Sequence, residues 1–230
     1  MSLYGLGAVT IWHDLLPEAR DDFYAWHGRE HMPERVGIAG FTRGRRYIAV
    51  RGAPEFFNLY EAVSPEVLSG QDYLNRLNAP TPWTRSVVGS FRNVSRAICR
   101  VLYSGGVGQG GTMLTLRFAI DDAQAPALCD TLRQQVLPAL IDRHGIVGAH
   151  LCRADDQGSR VMTAEKQVRN QDTDIPGWIV LIEGISVAAV EAAAFALQQT
   201  LASQSPPAHD LDLAIYQLES QRCKLPWGDV

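Results

Sequence analysis

"TIWHDLLPEARDDFYAWHGREHMP" (residues 10–33) and "TLRFAIDDAQAPALCDTLRQQVLP" (115–138) carry one pattern twice, 105 residues apart. Thr10 falls on Thr115, Phe23 on Leu128, Met32 on Leu137 and Pro33 on Pro138. Identity is thin, but the apolar positions agree along the length, and a repeat of this size governs how the whole chain is read. Downstream, "FNLYEAVSPEVL" (57–68) matches "IVLIEGISVAAV" (179–190) at an offset of 122, with Glu61 on Glu183 and Ser64 on Ser186.

Each half reads as strand, helix, strand, strand, helix, strand. In the first, "LGAVTIW" is extended, and the helix after it can be capped by Asp14 or a neighbour and entered through Pro17. "TRGRRYIAV" and "EFFNLYEAV" flank the turn-rich "RGAP" as a hairpin does, and a helical "PEVLSGQDYLNRL" and a strand near "SRAICRVLY" close the unit. The second half gives "TMLTLRFAI", a helix over 123–143, a strand near 147–153, "GWIVLIEGI", the Ala-rich "VAAVEAAAFALQQTLA" and "LDLAIYQLE". The polar stretch from Asp155 to Asp174 reads as a long loop.

These elements predict an α+β fold of two tandem ferredoxin-like βαββαβ repeats, residues 1–103 and 112–220, joined by a Gly-rich linker (104–111) and followed by a tail (221–230). Stacking one repeat on the other buries both open sheet faces within one chain. Gly106, Gly108 and Gly111 spell G-x-G-x-x-G after a strand. A strand rather than a helix follows, so no helix N-terminus awaits a pyrophosphate and the segment reads as a linker.

A hydrophobic content of 46% supports a sizeable core. No apolar run approaches the roughly 18 residues needed to cross a membrane, and "MSLYGLGAVTIW" lacks the marks of a signal peptide; the expectation is a cytoplasmic protein. Cys99, Cys129, Cys152 and Cys223 are scattered without C-x-x-C, which suggests neither disulfides nor a thiolate metal site. Residues 1–105 carry 12 Arg and 10 acids, residues 106–230 carry 9 basic residues and 15 acids. Arginine suits an anionic small molecule, whereas no basic stripe speaks for nucleic acid.

Chemistry concentrates in "HGREHMPER" (27–35). His27-x-x-Glu30-His31 matches the inverted zincin pattern, but the third ligand expected downstream is missing: no glutamate stands between Glu66 and Glu165. Another divalent-metal site is open to the cluster, with His13 as a candidate third ligand. On a helical projection Ala19, Phe23, Trp26 and Glu30 share a stripe with His27 and His31 along its edge, so the histidines could simply be packed. Against that, the repeat puts Phe118 opposite His13, Leu132 opposite His27, Gln135 opposite Glu30 and Val136 opposite His31. One half is chemically equipped and its partner reads as scaffold.

"FYAWHGREHMPERVGIAGFTRGRRY" (23–47) resembles the signature of EthD-like proteins in the dimeric α/β-barrel superfamily, through Phe23, Trp26, His31, Pro33, Gly40, Phe41, Arg46 and Tyr47, with Ala39 where a proline is usual. The resemblance implies that the two antiparallel sheets pack as an internal pseudo-dimeric α/β barrel. It also implies cofactor-free cyclase, dehydratase, isomerase or monooxygenase chemistry on a small aromatic or polyketide-like molecule. A proton-transfer role follows for His31 and, by the same likeness, Tyr47.

The expected mechanism is acid/base catalysis in an apolar pocket between the first sheet and its helices. Pro33 should end or kink the helix, leaving His31 in its last turn with raised basicity. His13, His27 and Glu30 are further proton-handling candidates. Arg45 or Arg46 could hold a developing oxyanion, and strand alternation puts Arg45 on Tyr47's face. Trp12, Trp26, Tyr60 and Trp83 are candidate ring-stacking walls, and "NAPTPWT" (78–84) reads as a rigid pocket rim. No metal or cofactor is expected, and the chain would be a monomeric pseudo-dimer or a homodimer. The rival readings are a haem enzyme with an axial ligand from His144, His150 or His209, and a non-catalytic binding or stress-associated protein.

Overall fold

The computed structural model describes residues 3–203 and 207–224. In the first half, β1 (Gly7–Leu15) leads to α1 (Arg20–Trp26), a π-turn (His27–His31) and α2 (Met32–Gly37), then β2 (Phe41–Arg51), β3 (Phe56–Ala62), α3 (Gln71–Asn78), α4 (Pro82–Val88) and β4 (Phe91–Gly106). The second half runs β5 (Thr112–Ala119), α5 (Ala125–Thr131), a π-turn (Leu132–Val136), α6 (Leu137–Ile141), β6 (Ile146–Ala154), α7 (Asp156–Arg160), α8 (Ala164–Arg169), β7 (Trp178–Gly184), α9 (Val187–Ala202) and β8 (His209–Cys223).

The strands close into one antiparallel barrel in the order β1-β3-β2-β8-β5-β7-β6-β4. Each half supplies four strands in ferredoxin-like order, and the β2–β8 and β4–β6 pairings join the halves. The fold is a pseudo-dimeric α/β barrel of two repeats. Register preserves the two offsets: Arg45 faces Leu59 in the first half, and His150 faces Leu181 in the second. β4 runs on through Gly106 into the stretch expected as linker, and β8 reaches Cys223 inside the expected tail, of which residues 225–230 lie outside the described residues.

Pro33 does not end its helix. Helical backbone continues to Gly37, and the Met32 N–H bonds the His27 carbonyl, five residues back, just before the proline. In the second half Leu137 bonds Leu132 in the same way, just before Pro138. A proline lacks an N–H and crowds the carbonyl four residues behind it, and the wider π-turn takes up the disturbance without a break.

Strand alternation sorts the core into layers. The barrel interior is packed with Trp12, Tyr47, Phe57, Leu59, Met113 and Tyr216, and helices cover the outer faces. One interior end is charged instead. Arg45 bridges Glu61 and Glu183, the pair the repeat superimposes, at 3.0 Å each, and Arg43 donates to Glu61 at 2.6 Å. Burial works against the Glu183 carboxylate, yet His150, Arg45 and the Gly110 N–H hold its pKa down at about 2.

The segment from Asp155 to Asp174, expected as a loop, folds instead as α7 and α8. Its first-half counterpart is the short β2–β3 connection, and the insertion accounts for the jump in offset from 105 to 122. It crosses to the other half: Asp155 N–H donates to the Ile98 carbonyl, Ser159 Oγ accepts from Ile98 N–H at 2.9 Å, and Arg96 N–H donates to the Asp174 carbonyl at 2.8 Å. The second repeat thereby lends a wall to the first.

Candidate functional site in the first helix–sheet layer

The π-turn decides which side chains enter this layer. Its extra residue shifts the helical phase, so Phe23, Trp26, His27 and His31 are buried, while Glu30, expected on the buried stripe, rotates to the edge. There Glu30 accepts hydrogen bonds from Thr81 Oγ1 (2.6 Å) and Thr84 Oγ1 (3.0 Å) and pins α4. That contact is a tether between helices.

His13 is fully committed. Its ring stacks on Phe91 at 3.9 Å; one nitrogen must donate to the Asp14 carbonyl (Nδ1, 3.1 Å), so Nε2 accepts from Asn58 Nδ2 at 3.1 Å. Burial lowers its pKa to about 4.

His27 is committed differently. Arg46 Nη1 lies 3.3 Å from Nδ1 and Tyr60 Oη lies 3.0 Å from Nε2. Guanidinium only donates, so Nδ1 accepts and the neutral ring carries its proton on Nε2, which donates to Tyr60. The phenol's own hydrogen is then left without an acceptor among the described residues. Burial raises the Tyr60 pKa well above the ordinary phenol value and, helped by Arg46, lowers that of His27. Tyr60 is a fixed neutral donor.

His31 stands beside it. Its ring tilts over Trp26 at 4.2 Å and meets the Tyr60 ring edge-on at 6.0 Å, and Trp26 is itself held by Nε1 donating to Thr84 Oγ1. His31 makes no hydrogen bond among the described residues, and its Nδ1 is buried without a partner. Burial first, then the Arg35 cation, lowers its pKa well below the ordinary histidine value. The raised basicity expected at a helix end is corrected: the helix does not end there, and burial outweighs any dipole. A neutral imidazole is a base.

The other expected residues lie elsewhere. Tyr47 and Arg45 share a sheet face, as strand alternation required, but that face is the barrel interior, opposite His31. Tyr47, Arg45 and His31 therefore cannot surround one molecule in a single pocket. Trp12 is inside the barrel too, donating to Thr115 Oγ1. Trp83 caps the surface, bonded to Asp22, and its expected rim is the start of α4, capped by Thr81. Among the expected haem ligands, His150 is sealed between Ser104 and Glu183, while His144 and His209 are exposed. Among the described residues no group of three His, Cys, Asp or Glu is placed to hold a metal ion.

The sequence reading missed Arg35 and the insertion facing it. Arg35, one turn beyond His31, is buried and ion-paired with Glu165 of α8. Glu165 also lines a cavity of about 140 Å³ under α3, α7 and α8, walled by Leu68, Leu77, Ile98, Arg96 and Arg169. The jump in offset was the sequence signal that something had been added there.

No protein-family model matches the sequence, and no curated protein matches it. Among solved structures, a presumed monooxygenase from Fusobacterium nucleatum aligns over 99% of this chain and 98% of its own, with a TM-score of 0.61 and 8% identity. A second presumed monooxygenase, from Lactobacillus acidophilus, aligns over 95% and 96% with a TM-score of 0.60 and 7% identity. An anthrone oxidase-like protein aligns over 95% and 92% with a TM-score of 0.60 and 14% identity. The chain shares its overall fold with these proteins. At such identities the likeness is one of fold, and function rests on the site. No helix among the described residues is long and apolar enough to cross a membrane.

Proposed function

We propose that the chain is a cofactor-independent enzyme of the oxidase or monooxygenase type, in the broad EthD-like manner, acting on a small enolisable or phenolic aromatic molecule. The observation that carries this reading is the buried, unpartnered His31 beside a phenol whose hydroxyl hydrogen is free. His31 takes the substrate's proton, and Tyr60 donates to the enolate or phenolate oxygen that forms. Arg46 acts through His27: by filling Nδ1 it fixes the tautomer that turns Tyr60 outward as a donor. Imidazolium and enolate form together as an ion pair, which offsets the cost of charging a buried ring. Dioxygen is the oxidant: the carbanion passes it two electrons and bonds to it as a peroxide, which takes up a proton and breaks its O–O bond, one oxygen staying on the product as a carbonyl and the other leaving as water.

The fold supports this reading through its presumed monooxygenase and anthrone oxidase-like relatives in shape. The experiment is a screen of phenols, anthrones and β-dicarbonyl compounds by absorbance and dioxygen uptake, repeated with His31→Ala. We expect turnover to fall by about 10²–10⁴-fold. Full turnover by that variant would falsify the assignment of the base.

A further inference from the structure

Arg169 is buried at 7% exposure, yet it makes no ion pair or hydrogen bond among the described residues, and its Nε is sealed without a partner. A charge this deep is costly unless something answers it. Its own surroundings do not. Burial presses against the cation, Glu165 helps it, and the guanidinium of Arg96 opposes it again. Glu165 is already engaged by Arg35.

The cavity that Arg169 lines explains what could answer it. Arg96 and Lys166 border the same space, with Arg96 held by the Tyr73 hydroxyl at 3.0 Å and Lys166 only loosely by the Ser159 carbonyl at 3.5 Å. Three cations thus face one acid that is otherwise occupied. The remaining wall is mostly aliphatic, from Leu68, Leu74, Leu77, Ile98 and Val161, with Ser69, Gly158 and Thr163 completing it. At about 140 Å³ the space is close to that of an engineered apolar cavity, ~150 Å³, that holds a single benzene ring.

We propose that this cavity binds a small aromatic monocarboxylate, its ring among the leucines and its carboxylate on Arg169, with Arg96 and Lys166 as flanking cations. The inference goes beyond the functional reading above and does not rest on it: His31 and Tyr60 are not among the residues lining this cavity, whose wall the Arg35–Glu165 pair joins to the helix bearing His31. Binding itself stands apart from turnover.

The test uses the full chain and benzoate as probe, titrated by calorimetry, with benzamide and inorganic phosphate as comparisons. Saturable one-site binding of benzoate is expected, weakened about 10–100-fold in Arg169→Gln and for benzamide, because a charge-assisted contact is lost. Phosphate, which lacks the ring, should bind at least tenfold more weakly than benzoate. Val161→Trp, which sets a bulky ring at the exposed edge of the cavity and leaves every cation in place, should weaken binding at least tenfold and covers the case in which Arg169→Gln fails to fold. No saturable benzoate binding, equal binding of benzamide or phosphate, or unchanged binding in Val161→Trp overturns the proposal. Binding of benzoate with the His31→Ala variant as active as the parent would instead overturn the catalytic reading and leave this one intact.

Discussion

The two helix–sheet layers share a backbone and differ in chemistry. In the first, His13, His27, His31, Arg35, Arg46 and Tyr60 occupy positions that in the second are Phe118, Leu132, Val136, Leu140, Leu151 and Ile182, by the same two offsets that align the strands. The second layer is a continuous apolar core. Both carry the same π-turn before the same proline, so the π-turn by itself confers no chemistry. It delivers whatever side chains the sequence places there, and only one half has ionisable ones at the buried positions, His27 and His31.

The sharpest way to break this contrast is to write the second layer into the first. His31→Val imports the residue of the scaffold half, and we expect turnover to fall by about 10²–10⁴-fold while chemical denaturation shows stability unchanged within about 1 kcal/mol or increased, since a buried unpartnered ring is removed. A large loss of stability instead would mean the histidine is part of the packing. The reverse contrast is Leu132→Ala, at the position matching His27. It should cost about 2–5 kcal/mol of unfolding free energy, because a fully buried aliphatic side chain leaves a cavity behind.

Tyr60→Phe separates donation from packing. The ring and its volume stay, and the loss of the hydroxyl should cost about 1–3 kcal/mol of transition-state stabilisation in kcat/KM, with little change in Tm. Equal turnover would place the oxyanion donor elsewhere.

Acid sensitivity should follow the equipped half. His13, His27 and His31 are all depressed in the folded chain, His13 to about 4 from 6.5. Between these values the unfolded chain binds protons that the folded chain refuses. Stability therefore falls as pH drops below about 6.5, by up to ~1.4 kcal/mol per pH unit for each such histidine. Urea midpoints at pH 7 and pH 5 should differ clearly for the parent and much less for His13→Phe combined with His27→Leu and His31→Val. A difference of the same size in both would point to the remaining buried histidine, His150, or to the carboxylates.

Much of this architecture was legible in the chain itself. Apolar alternation and the paired offsets identified both βαββαβ units, and superimposing the halves singled out His13, His27 and His31 as chemistry without a structural counterpart. Local pattern could not reveal the π-turn, because a proline after "HGREHM" reads equally as a helix end; the phase shift that buries His31 and turns Glu30 to the edge, onto Thr81 and Thr84, arises only when the helix continues onto the sheet. Nor could alternation alone say which sheet face meets the helices, which is why Tyr47 and Arg45 were grouped with His31 although barrel closure turns them inward.

What the sequence by itself determined is the repeat, the class of fold and the inequality of its halves, since these follow from residue types at fixed spacing. Tertiary structure alone decided the partnerships. Glu61 and Glu183, 122 residues apart, meet over one arginine because the barrel closes, and Arg35 finds Glu165 because an insertion in one repeat folds over the other. Such contacts depend on where distant segments come together in space, which spacing along a chain does not encode.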